Sequence, residues 1–151
     1  MRIPEVFRDS VRLSETKTEL NPKEVAGLQV SLRGSGDIWI LDLCGRSTRG
    51  DESDLLSSCI QQLTASGVRK LLLNLANVTQ VDSSGIMIII ATLVSLRAVN
   101  GDLKLLCPHG PVLELLTLLR LPEVIPTFKD ETQALASFTE GVDSEYRDLI
   151  A

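Results

Sequence analysis

Leu71-Leu72-Leu73-Asn74-Leu75 and the stretch from Ile86 to Leu96 are two apolar runs set ten residues apart. The first has the length of a buried central strand and the second that of a buried helix. Between them lie a linker, Ala76 to Val81, and then Asp82-Ser83-Ser84-Gly85. A chain with this grammar is committed to a strand–loop–helix unit whose strand and helix are both covered. The four loop residues fall where the helix begins. Backbone N–H groups lack partners there, and the dipole supplies roughly half a positive charge.

Two readings of that loop stand side by side. Asp and Ser are favoured helix caps and Gly permits close backbone approach, so the loop can be a plain helix start. A phosphate there would be stabilised, and its added charge of roughly −1.5 to −2 would change what the surface can bind.

The rest of the chain narrows the choice. With 151 residues, 44% of them apolar, it is long enough for one domain with a substantial core. Aromatics are only 3%, so that core is built from Leu, Ile, Val and Ala. Fifteen basic against twenty acidic residues give a net charge of −5, unlike the clustered basic surface that nucleic acid requires. The first residues lack the apolar segment of a signal peptide. Ile86–Leu96 is too short to span a bilayer and contains Thr92 and Ser95. We expect a cytoplasmic protein with no direct membrane insertion. Cys44, Cys59 and Cys107 have no paired spacing for zinc or disulfides and read as buried thiols.

Residues 1–24 read as a polar N-terminal extension, partly disordered; residues 25–140 as the domain; residues 141–151 as a charged tail. Leu28, Val30 and Leu32 alternate with polar residues, as in a half-exposed strand. Gly34-Ser35-Gly36-Asp37 is a hairpin turn, and Ile38–Leu43 a strand buried on both faces. Gly45–Gly50 reads as a loop. Leu55, Leu56, Cys59, Ile60 and Leu63 follow at helical spacing, with Asp51, Glu52 and Asp54 favouring the start and Ser66-Gly67 the end. Asn74, inside a buried strand, needs a hydrogen-bond partner. The next helix is expected to run from about Ser84 to Asn100, and Leu103–Cys107 is a strand. A helix from Pro111 ends at Pro122, and Ile125–Phe128 is an edge strand. A last helix starts at Asp130 with Gln133. The order β-β-α-β-α-β-α-β-α predicts an α/β fold: a small mixed sheet with a parallel core, one antiparallel N-terminal strand and about four helices.

No phosphate-binding Gly-rich loop, GxGxxG or HExxH is present. His109, the only histidine, lies in Pro108-His109-Gly110-Pro111 and reads as solvent-facing or capping. No GxSxG surrounds Ser83, so a hydrolase using it is poorly supported. We expect no enzyme activity, no cofactor and no metal.

Leu43-Cys44-Gly45, Leu71–Leu75, Val81-Asp82-Ser83-Ser84-Gly85, Gly101-Asp102-Leu103-Lys104-Leu105 and the segment Val112–Leu121, in this order and spacing, resemble the STAS domain. That family includes bacterial anti-sigma factor antagonists and the cytoplasmic tails of sulfate transporters. The resemblance spans about Leu28 to Phe138. It implies that Ser83, directly after the Asp, is a phosphoacceptor, supported by Asp82, Ser84 and Gly85. It implies binding to an anti-sigma factor that is also a serine kinase of the histidine-kinase-like ATPase class. It further implies resetting by a PP2C-type phosphatase, and it leaves a homodimer open. Ser84 is then expected to cap the helix.

The stretch after the second strand departs from the family pattern. Many relatives carry Gly-x-Leu-Asp, whereas this chain has Gly45-Arg46-Ser47-Thr48, so Thr48 replaces the acid. Arg46, Ser47 and Thr48 are the candidate partner-binding loop. The alternative within the family is a constitutive adaptor subunit of a membrane lipid-transport ATPase complex, which needs no phosphorylated serine.

Overall fold

The computed structural model describes residues 11–13, 18–20 and 23–139. The tail expected at 141–151 and most of the extension lie outside the described residues. Within the extension, β1 (Val11–Leu13) and β2 (Thr18–Leu20) form an antiparallel pair. Strand β3 (Lys23–Val25) straddles the expected domain boundary at residue 24 and pairs with β4 (Leu28–Ser35). β4 and β5 (Ile38–Ser47) are antiparallel, with Ser35 opposite Ile38, so the turn is the two residues Gly36-Asp37. Gly36 takes φ +63, which a hairpin turn of this length favours.

The chain then alternates: α1 (Gly50–Ala65), β6 (Lys70–Val81), α2 (Ser83–Arg97), β7 (Asp102–Leu106), α3 (Gly110–Leu118), a 3-10 turn (Leu121–Glu123), β8 (Thr127–Phe128) and α4 (Glu131–Thr139). One six-stranded sheet results, in the order β3-β4-β5-β6-β7-β8, antiparallel to β5 and parallel from β5 onward. This is the mixed α/β architecture expected, with four helices and three more described N-terminal strands, β1, β2 and β3, than the sequence pattern announces.

Alternation along the strands splits the core. Leu41, Leu71, Leu73, Leu103 and Leu105 pack with α1, α2 and α3 on one face. Ile38, Ile40, Leu72 and Leu106 pack under Ala134 and Phe138 of α4 on the other. Lys104 lies on that second face and is almost fully buried. Its Nζ donates to Ser137 Oγ at 2.8 Å and stands 4.6 Å from the Phe138 ring centroid, so a charged end is satisfied beneath α4. Asn74 also finds its partners: its Nδ2 donates to Asp42 Oδ1 at 2.7 Å and its Oδ1 accepts from Ala76 N at 3.1 Å.

The structure corrects several expectations. Gly45-Arg46-Ser47 belong to β5, and Ala76–Val81 belong to β6, although both read as loop or linker. The two stretches pair with each other after a register shift, with Gly45 beside Val78 and Ser47 beside Val81. Cys44 is exposed, not buried. Leu43 takes the core side of β5, and the pleat turns Cys44 to the opposite face. Cys59 is buried in α1, and Cys107 is half-buried with its Sγ 3.1 Å from Lys129 O. α2 ends at Arg97, because Asn100 turns left-handed (φ +63) and Gly101 N reaches back to Leu96 O at 2.7 Å. α3 ends at Leu118, ahead of left-handed Arg120, so Pro122 opens no boundary of its own.

Candidate functional site

Val81 and Ser47 end adjacent parallel strands, so the loops that follow them leave the sheet side by side. Asp82 N donates to Ser47 O at 2.9 Å and extends the ladder by one bond. Asp82 itself is extended (φ −96, ψ −175), and its Oδ1 accepts from Gly85 N at 3.1 Å. Asp82 therefore caps α2, and Ser84 does not, contrary to expectation. An aspartate at this position also complements the dipole. Ser83 is the first residue of α2. Ser83 and Ser84 are both exposed, so two hydroxyls stand at the helix entry beside a half-buried carboxylate.

Gly85 is buried, and it is glycine because of contact, not backbone strain. A Cβ there would meet Val81 Cγ1 at 2.5 Å and Ser47 Oγ at 3.4 Å. We expect Gly85→Val to cost about 1–3 kcal/mol by overpacking, read as a lower Tm in a thermal melt. An unchanged Tm would show that Val81 yields freely.

The expected partner-binding residues reach the same end of the sheet but differ in access. Arg46 is exposed, Thr48 is half-buried, and Ser47 is 2% exposed, with its Oγ 3.4 Å from Ser53 Oγ. Ser47 thus supports the Ser83 loop from behind and presents no surface. His109 lies at the α3 N-cap position without a side-chain cap. Its Nε2 is 2.7 Å from Ala76 O, and since a carbonyl only accepts, that nitrogen carries the proton.

Sequence reasoning gave Glu52 only a role in the helix dipole. In the structure it is the central anchor of this end, with its carboxylate fully buried. It accepts from Gly27 N at 2.6 Å and from Thr48 N and Arg49 N at 3.1 Å each, and Arg46 Nε lies 3.8 Å away. One side chain thereby ties the β3–β4 turn to the β5–α1 loop. Gly27 also returns a bond, its carbonyl accepting from Arg46 N at 2.9 Å. The only forward signal was an acidic residue at the third helical position, half of a capping box without its Ser or Thr.

Burial pushes the Glu52 carboxyl up, but the N–H groups of Thr48, Gly27 and Arg49 outweigh it, with help from the Arg46 guanidinium. Its pKa is held below the usual carboxylate value. A depressed carboxylate stabilises the fold above its unfolded pKa and loses that contribution as pH falls through the folded one. We expect Glu52→Gln to be less stable than wild type at neutral pH and to show a flatter loss of Tm with acidification below the ordinary carboxylate range. Parallel curves for the two proteins would contradict this account.

Among the described residues no group of three or more His, Cys, Asp or Glu side chains could hold a metal ion. No helix there is long and apolar enough to cross a membrane.

The STAS domain family model matches residues 29–134, about two thirds of the chain. The chain belongs to the STAS domain family. No curated protein matches it by sequence. An anti-sigma factor antagonist from Mycobacterium paratuberculosis shares its fold with TM-score 0.68 at 16% identity, over 74% of this chain and 94% of that one. The anti-sigma factor antagonist SpoIIAA in its unphosphorylated form gives TM-score 0.62 at 18% identity, over 75% and 97%. The murine Solute Carrier 26 family member A9 anion transporter gives 0.57 at 14% identity, over 72% of this chain but 18% of that one. At these identities the likeness concerns the fold. This STAS domain therefore has the architecture of small anti-sigma factor antagonists, an architecture that a large transporter also contains.

Proposed function

We propose that this STAS protein is a cytoplasmic anti-sigma factor antagonist switched by phosphorylation of Ser83. Unphosphorylated, it binds an anti-sigma factor that is a serine kinase of the histidine-kinase-like ATPase class. Phosphorylated, it lets that partner go, and a PP2C-type phosphatase resets it. The chain catalyses nothing itself. The observation that carries this reading is the exposure of Ser83 as the first residue of a helix whose next turn is anchored by Gly85, Ile86 and Ile89 in the core. An exposed hydroxyl on a rigid mount can enter a kinase site without unfolding. The solved phosphorylated form of SpoIIAA, with the same fold at 18% identity, supports the scheme.

Phosphate at Ser83 adjoins Asp82 and sets two anionic groups close together at the end of α2. Asp82 keeps its cap bond to Gly85 N, so the fold has no need to change. The switch in this reading is electrostatic: a dianion appears on a surface that the partner covers.

The test is affinity purification of tagged Ser83→Ala protein from native cells. We expect it to retain an anti-sigma kinase that Ser83→Asp does not. Recovery of a transporter ATPase with both variants would overturn the switch and assign the chain as a constitutive adaptor.

A further inference from the structure

Beyond Asp54 in the opening of α1, and along α2 as far as Leu96, the outer surface carries no charge. From Leu55 to Val68 and again from Ser83 to Leu96 there is no Asp, Glu, Lys, Arg or His, in a chain with 15 basic and 20 acidic residues. Burial explains only the inner side. On the outer side Met87 is 62% and Val94 65% exposed, with exposed Ala91 between them. A groove of about 310 Å³ runs alongside between the two helices, lined by Ile60, Ile88 and Thr92 and by the polar Ser57 and Gln61. A helix face turned to water normally carries charged residues. Depletion of charge with an exposed Met is the composition of an interface core.

We propose that this face is where two copies of the chain pair. Charge is the first argument. Copies with net charge −5 repel each other, and here they can meet without burying an ion or opposing like charges. Shape is the second. A two-fold interface must carry its own complement, and this patch presents a ridge, Met87 to Val94, directly beside a groove. Register is the third. Met87 and Val94 are seven residues apart, about 10 Å along the helix, with Ala91 near the midpoint. Antiparallel pairing of α2 with its copy about Ala91 sets each Met87 against Val94 of the other copy. The small Ala91 lets the helices approach closely. Helices of 16 and 15 residues offer a face on the order of 500 Å² per copy, near the low end for specific interfaces. The pairing is therefore reversible and concentration-dependent.

Sedimentation velocity of the full chain over a wide concentration range reads this directly. Wild type is expected to pass from monomer to dimer as concentration rises, and Val94→Asp to stay monomeric throughout. Leu118→Asp, on an exposed apolar position of α3, is expected to dimerise like wild type. A cross-linking series serves as a check if Val94→Asp folds poorly. With Cys44 and Cys107 replaced by Ser, Ala91→Cys should form a disulfide with its own copy. Met87→Cys should do so only when mixed with Val94→Cys. A wild type that remains monomeric at several hundred micromolar overturns the proposal, even if Val94→Asp loses a kinase partner, since the face then belongs to that partner. A dimer insensitive to Val94→Asp, or equally sensitive to Leu118→Asp, overturns it as well.

Discussion

Ser83→Asp is expected to fold like wild type and to bind the anti-sigma kinase about 30-fold more weakly or worse. Stability should barely change, because the new carboxylate is exposed in the free chain. The helix dipole favours it by about 0.3–1 kcal/mol, and the Asp82 charge opposes it. Binding changes far more, because the partner must then desolvate an unpaired charge. That typically costs about 2–5 kcal/mol, and 2 kcal/mol is already about 30-fold in affinity. Ser83→Ala, by contrast, should bind and never be released by kinase and ATP. Isothermal titration with each variant, next to its thermal melt, gives both quantities. A well-folded Ser83→Asp that binds as tightly as wild type would contradict the switch.

Gly45→Ala should be the most destabilising substitution considered, although it adds one methyl group. Gly45 has φ +107, a backbone conformation that L side chains rarely adopt, and a Cβ there would fall on Gly27 O. That same carbonyl accepts from Arg46 N, and Gly27 N donates to Glu52. Relief of the clash must therefore displace the turn and break the bonds around the buried carboxylate. Backbone strain of about 1–3 kcal/mol and overpacking of about 1–3 kcal/mol add to several kcal/mol. Small domains hold only about 5–15 kcal/mol in all. The Tm should fall by roughly 10 °C or more. A melt within about 2 °C of wild type would show that β5 and the β3–β4 turn separate without cost.

The parts of the fold that were legible are those with local signatures. Leu71–Leu75 and Ile86–Leu96 announced a central strand and its helix, and the helical spacing from Leu55 to Leu63 announced α1. Gly34-Ser35-Gly36-Asp37 marked the hairpin, although Gly34 and Ser35 still belong to β4. What escaped had a tertiary cause. Asn77, Thr79 and Gln80 interrupt the apolar run of β6, yet they extend the strand because β5 continues beside them to Ser47. Their exposed positions need no apolar residue, so the pattern fell silent while the ladder went on. Strand β3 is short and follows a polar stretch, and only its pairing with β4 defines it.

The site divides in the same way. Asp82-Ser83-Ser84-Gly85 could be placed at a helix start from its neighbours alone. Which residue caps could not, since Asp and Ser compete and only the path out of β6 decides for Asp82. Glu52 was invisible as an anchor because Gly27, one of its donors, lies 25 residues earlier. Lys104, a charged side chain whose burial no local pattern announces, is covered because α4 folds back over β7.

The central claim is that Ser83 carries the switch, and one measurement addresses it most directly. Intact-mass and phosphopeptide analysis of the protein from its native cells, across several growth conditions, should find a phosphate on Ser83 in a condition-dependent fraction of molecules. Full coverage of the Ser83 peptide with no phosphate under any condition would contradict the account.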